Sequence, residues 1–408
     1  MKKIGIIMIT ILMIAPVLSN DSKIENKKSY ENIEYNSSNR GHFIVQWEKS
    51  YGKLPFWSAR YEGPQPIGDA DNDGKNELLI GGRDPFLRVI KWNGQSYYEH
   101  AKIIDPIFAG YSIFGIPEPF GSATGFAIGD IDNDGKNEIG VAWGHHFSAF
   151  KWNGHKYKLM GRYIIVGRKD WGTTLDCIIG DVNNDGKNEV IVTGGYDKNI
   201  PEVMVLKWNG EKFIGKANWN YPGSYWVYFP WIADVDNDGK NELIVNTNET
   251  IILKWNGNGW NESIIAYYNE SYPFACIAKD SNNDGIKEIH VTFYSPMLKI
   301  FEYENGSYVE KASFYWNGED PTIEAIDVGD VDNDGLPEIA VGTNHIHILK
   351  WNGDEYKETY IINATHGMLA ITCIGDIDND GKNEINAGNV GIDSLNEDYK
   401  SWIFKYID

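Results

Sequence analysis

The chain has 408 residues, 42% of them hydrophobic and 13% aromatic, which is ample for a large core. Its 58 acidic residues against 37 basic ones leave a formal net charge of −21, and a surface that negative repels nucleic acid and anionic lipid, so neither is an expected partner. Three cysteines without close spacing, Cys177, Cys276 and Cys373, indicate neither a zinc site nor a disulfide framework, and buried free thiols are expected.

At the amino terminus, Lys2 and Lys3 precede an apolar stretch from Ile4 to Leu18, and Val17 and Ser19 fit the small-residue rule before a cleavage point. Residues 1–19 therefore read as an export signal peptide, and the protein is expected to be secreted or at the cell surface. The apolar stretch is shorter than the ~20 residues a spanning helix needs, so membrane attachment follows only if the signal stays uncleaved. Residues 20–41 form a polar tract with few apolar anchors, a linker expected to have little order. Asn-x-Ser/Thr sequons begin at Asn36, Asn248, Asn261, Asn269, Asn305 and Asn363, acceptors for sugar if the host glycosylates exported chains.

From residue 42 onward an acidic nonapeptide recurs seven times, at offsets of 46 to 61 residues. Five copies read D-x-D-N-D-G-x-x-E, and two place Asn183 and Asn282 third. Calcium takes six to eight oxygen ligands, and acids at positions one, three and five, a backbone carbonyl at seven and an acid at nine can surround one ion. The candidate ligands of the first copy are Asp69, Asp71, Asp73, the Lys75 carbonyl and Glu77; those of the second are Asp130, Asp132, Asp134, Lys136 and Glu138. The third and fourth copies offer Asp181, Asn183, Asp185, Lys187 and Glu189, then Asp234, Asp236, Asp238, Lys240 and Glu242. The fifth offers Asp280, Asn282, Asp284, Ile286 and Glu288, and the sixth Asp330, Asp332, Asp334, Leu336 and Glu338. Asp376, Asp378, Asp380, Lys382 and Glu384 complete the set. Up to seven structural calcium ions are therefore expected. An EF-hand is excluded, because position twelve is apolar in every copy and the flanks are short β-branched runs.

The unit from Phe126 to Ile165 predicts four strands: 126–131, 138–143, 147–152 and 157–165. The third ends at Asn153-Gly154, a hairpin signal, within a Lys-Trp-Asn-Gly turn that recurs at Lys91, Lys151, Lys207, Lys254 and Lys350. Its tryptophans are expected to pack between neighbouring units rather than to form a ligand ladder. A small residue precedes most acidic loops (Gly68, Gly129, Gly180, Ala233, Gly329, Gly375), as suits strands crowded about an axis, while Lys279 breaks the pattern. Four short antiparallel strands at a period near 50 describe an all-β fold, a seven-bladed β-propeller. The last repeat lacks a fourth strand, and residues 42–60 look like a third-and-fourth-strand hairpin (Phe43 to Trp47, then Phe56-Trp57) that completes blade seven.

This acidic loop followed by an apolar strand resembles the FG-GAP/VCBS repeat family, best known from the integrin α-subunit propeller, over roughly residues 42–408. The resemblance implies a seven-bladed propeller with calcium between the first two strands of a blade. The chain departs from it in carrying Glu at position nine, where integrins usually have Asp, and in having a loop in all seven repeats.

Loops on the face opposite the acidic turns are rich in aromatics, and Tyr111, Trp171, Trp219, Tyr225, Trp226 and Tyr272 are the candidate ligand-binding residues. They suit a binding or adhesion module for a glycan or an extracellular protein. A polysaccharide-degrading enzyme is the second expectation, drawing on Glu118, Asp170, Asp197 and Asp320 as possible acid/base carboxylates. A structural cell-envelope element is the third. His145, His146, His345, His347 and His366 come from separate repeats and are expected to be packed or solvated rather than metal-bound.

Overall fold

The structure, a computed structural model, describes residues 41–51, 65–81, 86–105, 125–166, 172–195, 201–224, 226–268, 271–389 and 399–407. The expected signal peptide and nearly all of the polar linker lie outside the described residues. Among the described residues every regular element is a strand, and the strands pair into seven four-stranded antiparallel sheets. The blades are numbered here by their acidic loops, from Asp69 in blade one to Asp376 in blade seven. Blade two runs Gly125–Gly129, Glu138–Ala142, His146–Trp152 and Tyr157–Ile164, within two residues of the expected bounds. The Trp231–Ala233 strand of blade four is much shorter.

Second strands such as Glu189–Gly195 and Glu338–Gly342 are buried along their whole length, because both of their faces meet neighbouring blades. Fourth strands alternate: Ser307–Tyr315 exposes every second residue or more, as an outer strand should. The apolar core lies between blades. Leu79 and Val89 of blade one pack with Phe126, Ile139 and Val141 of blade two.

Near the axis each glycine that precedes an acidic loop sits against an isoleucine of the next blade. A Cβ at Gly129 would lie 3.0 Å from Ile179 Cγ2, and one at Gly375 would lie 3.0 Å from Ile67 Cγ2. The second contact joins the last repeat to the first. Ring closure is completed by His42–Ser50, which pairs with Lys400–Ile407 from His42↔Ile407 to Ser50↔Lys400. It skips Gln46 in a β-bulge, as the fourth strands of blades one, two, three, five and six skip one residue at the same register, while blade four skips Ile265 two positions away. The expected hairpin is thus a single fourth strand, since Lys400–Ile407 already holds the third place; Phe56 and Trp57 lie outside the described residues.

The three cysteines are free and buried. The turn tryptophans pack on aromatics of the adjoining fourth strand, Trp152 on Tyr157 at 4.8 Å and Trp351 on Tyr356 at 4.9 Å.

Candidate metal centres

Antiparallel order puts the acidic loops and the third-to-fourth-strand hairpins on one face of the ring. Each loop is built the same way. The aspartate at position one accepts the backbone N–H groups of positions five and six: Asp69 Oδ1 takes Asp73 N at 3.0 Å and Oδ2 takes Gly74 N at 2.9 Å. Asp130, Asp181, Asp234, Asp280, Asp330 and Asp376 do likewise. The turn needs two left-handed residues, an asparagine at four (φ 56–62°) and a glycine at six (φ 81–90°). At position seven the backbone N–H closes back onto the aspartate at five, as Lys75 N does on Asp73 Oδ1 at 3.0 Å.

The glutamate at nine turns inward. Glu77, Glu138, Glu288, Glu338 and Glu384 are fully buried, and Glu189 and Glu242 nearly so. One oxygen caps the start of the loop in six blades, Glu77 Oε2 accepting Ala70 N at 2.8 Å and Glu288 Oε2 accepting Ser281 N at 2.7 Å. Burial pushes Glu77, Glu242, Glu288, Glu338 and Glu384 up to about 7. The acids expected from the sequence do converge: ligand atoms of Asp69, Asp71 and Glu77, of Asp130, Asp132 and Glu138, of Asp280, Asp284 and Glu288, and of Asp330, Asp332 and Glu338 lie within 4.8 Å of one another. In blade four the converging set is Asp234, Asp236 and Asp238. Such oxygen-only sets fit a hard divalent cation.

Six loops also hold a lysine, and five of the six are the first residue of a Lys-Trp-Asn-Gly turn. Lys91 Nζ lies 2.6 Å from Asp71, 2.7 Å from Asp73 and 2.9 Å from Glu77. Lys151 lies 2.9, 2.5 and 3.0 Å from Asp132, Asp134 and Glu138. Lys350 repeats this with Asp332, Asp334 and Glu338, and Lys405 with Asp378, Asp380 and Glu384. Lys254 meets Asp236, Asp238 and Glu242. Lys207 reaches Asp185 and Glu189, where Asn183 also donates to Glu189 Oε1 at 2.6 Å. Despite burial, which by itself lowers a lysine, these carboxylates hold Lys91, Lys151, Lys254, Lys350 and Lys405 above the usual range. The signal was present as the first letter of five Lys-Trp-Asn-Gly turns, with Lys405 outside any such turn. Blade five has no counterpart lysine.

A second feature joins the loops. The asparagine at four and the asparagine at eight of the next blade bond across five of the seven joints, for example Asn133 with Asn188 and Asn184 with Asn241. Position eight is Lys287 in blade five and Pro337 in blade six, so the clasp is missing on both sides of blade five. A cleft of about 530 Å³ lies at the first of these joints, lined by Asp236, Lys254, Ser263, Tyr303 and Tyr308 among others.

On the opposite face, Tyr272 is 53% exposed and Trp226 is half-buried. Trp219 is instead buried in its fourth strand, its Nε1 donating to Glu262 at 2.7 Å, because an inward position on that strand faces the next blade. Tyr111, Trp171 and Tyr225 lie outside the described residues, as do Glu118, Asp170 and Asp197. An aromatic run links blades four and five, joining Tyr228 of the sequence's aromatic-rich loops to two residues that the sequence did not single out: Tyr228 stacks on Phe274 at 4.3 Å, and Phe274 lies 6.4 Å from Tyr294, which is 42% exposed. The histidines are separate, His146 bonding Asp105 at 3.1 Å and His347 lying between Glu319 and Glu358.

The model of the FG-GAP-like repeat matches residues 181–245 and 280–341. No curated protein matches the chain. Two solved structures share the fold: the BBS1N chain from crystals of BBS1N in complex with ARL6DN, soaked with lead in one case and mercury in the other. Each aligns with a TM-score of 0.59 over 90% of this chain and 98% of that one, at 10% and 11% identity. The chain is a seven-bladed β-propeller with FG-GAP-like repeats spanning blades three to four and five to six, consistent with an integrin alpha-like FG-GAP propeller.

Proposed function

We propose that the chain is an exported binding or adhesion module, rigidified by divalent cations in its acidic loops, that engages a glycan or a protein through the opposite face. The FG-GAP-like repeats suggest a binding or adhesion role. The observation that carries the finer reading is the run Tyr228–Phe274–Tyr294 with Tyr272 beside it, since Tyr294 N donates to the Tyr272 carbonyl at 2.9 Å. Aromatic faces of this kind stack on sugar rings or anchor a partner's side chains. Export rests on the signal-like residues 1–19. Calcium rests on the convergence of carboxylate oxygens in the loops, a donor set suited to a hard divalent cation.

A glycan-array screen and a pull-down from extracellular material, each with the calcium-loaded full chain, test the reading. A ligand should emerge and be lost in a Tyr272→Ala/Tyr294→Ala variant that retains the wild-type melting temperature. A ligand bound equally by both proteins, or none from either screen, would sink it.

A further inference from the structure

We infer that blade five carries the divalent-cation site that fills first, because there alone the chain replaces its built-in cation with a glutamate. This rests on the reading of the acidic loops as cation sites and assigns them unequal parts.

The register makes the replacement explicit. In blade six Ile339 pairs with Leu349 and Glu338 with Lys350; in blade seven Glu384 pairs with Lys405. In blade five Ile289 pairs with Phe301, so the residue opposite Glu288 is Glu302. Like charges directly across a strand pair destabilise it. Both are buried, Glu288 fully and Glu302 at 7% exposure.

Glu288 is satisfied on one oxygen only. Its Oε2 accepts from Ser281 N at 2.7 Å and Ser281 Oγ at 2.8 Å, while Oε1 is buried without a hydrogen-bond partner. The matching oxygen meets a lysine in other blades, at 2.9 Å for Glu77, 2.5 Å for Glu338 and 2.8 Å for Glu384. Among the described residues no lysine, arginine or histidine nitrogen lies within 4.0 Å of a carboxylate oxygen of Asp280, Asp284 or Glu288, so no ion pair closes this loop. Neighbouring lysines are committed elsewhere: Lys279 bonds Asp327 and the Val328 carbonyl, and Lys311 lies 3.3 Å from Glu302 and 2.5 Å from Glu304.

A buried carboxylate oxygen without hydrogen or cation is costly to maintain. A divalent ion among Asp280, Asp284 and Glu288 supplies the missing charge with no ammonium to displace. In the other six loops it must first expel a lysine held by two or three carboxylates. The absent asparagine clasps on both sides leave the fifth loop free of the hydrogen bonds that tie its counterparts to their neighbours.

Calcium titration of the chelator-treated full chain by calorimetry, with terbium luminescence as a second probe, tests the assignment. A tight phase of one equivalent is expected, lost at least a hundredfold in affinity in Glu302→Lys, which installs the lysine of the other blades. Asp284→Asn, at an exposed position, should lose the same phase without adding a charge, which guards against a misfolded first variant. A tight phase of several equivalents, or one retained in both variants, would overturn the assignment while keeping the loops as cation sites. No binding at all would overturn both.

Discussion

Asn72 and Asn137 exchange two hydrogen bonds across the joint between blades one and two, Asn72 Nδ2 donating to the Asn137 carbonyl at 2.9 Å and Asn137 N donating to Asn72 Oδ1 at 2.8 Å. A third bond, Asn137 Nδ2 to the Asp69 carbonyl at 2.9 Å, ties the same joint to the first residue of the preceding loop. The blades of this ring are therefore riveted by side-chain-to-backbone bonds on the loop face as well as by apolar packing.

Asn72→Ala removes two of these bonds and places alanine at φ 60°, so a loss of about 2–5 kcal/mol is expected in urea unfolding. Asn237→Ala at the unclasped joint should cost only the backbone part, about 1–2 kcal/mol. Equal losses at the two positions would count against the clasp.

Lys91→Ala strands the fully buried Glu77. Removing one partner of a buried ion pair costs about 3–5 kcal/mol, and that loss should be seen in chelator. Calcium should then restore most of it, since the vacated space faces Asp71, Asp73 and Glu77. A variant as stable as the wild type in chelator, or one indifferent to calcium, would show that the lysine does not stand in for a metal.

For the wild type, one loop filled at 100 times its dissociation constant is worth about 2.7 kcal/mol. In a fold of this length that corresponds to about 3–4 °C of melting temperature on chelation. Seven loaded loops would give a fall well beyond 10 °C. Differential scanning calorimetry with and without chelator separates the two.

A chain lacking residues 42–50 leaves Lys400–Ile407 as an open edge and strips Glu48 from Trp402 Nε1, which it accepts at 3.0 Å. Exposed edges template association, so the truncated protein should elute as oligomers or aggregate. A monomer with the parental melting temperature would refute closure by this strand.

His347 donates or accepts at both ring nitrogens, 2.8 Å from Glu319 and 2.7 Å from Glu358. Burial opposes its protonation, yet the two carboxylates raise it above its ordinary value. A raised histidine contributes stability fully present below its unfolded value of about 6.5 and lost as pH rises through the higher folded one. The loop glutamates near 7 change in the same direction, so the comparison must be with His347→Gln. That variant should lose about 1–3 kcal/mol at pH 6 and much less at pH 9. A constant difference across that range would place His347 outside the pH response.

Much of this architecture is legible in one dimension because its determinants are local. A nonapeptide such as Asp130 to Glu138 contains its own turn: the position-one carboxylate bonds amides four and five residues on, and the Asn and Gly that permit the backbone are in the same loop. Strand-forming runs on either side, repeated seven times, leave a radial array as the arrangement that buries them. The missing fourth strand of the last repeat and the spare strand at residues 42–50 are likewise visible as a shortage and a surplus.

What only the tertiary structure decided are relations between residues far apart in the chain. Lys91 enters the loop of Asp71 because the third strand lies in register against the second, and Lys405 does the same from a segment with no matching turn. Asn137 reaches Asn72 because adjacent blades bring loops 65 residues apart side by side. Trp219, an apparent surface aromatic, is buried because its strand position faces the next blade. Local bonding chemistry writes the loops and strands into the sequence, whereas the partner of each buried charge depends on packing between strands and blades, which a linear reading does not contain.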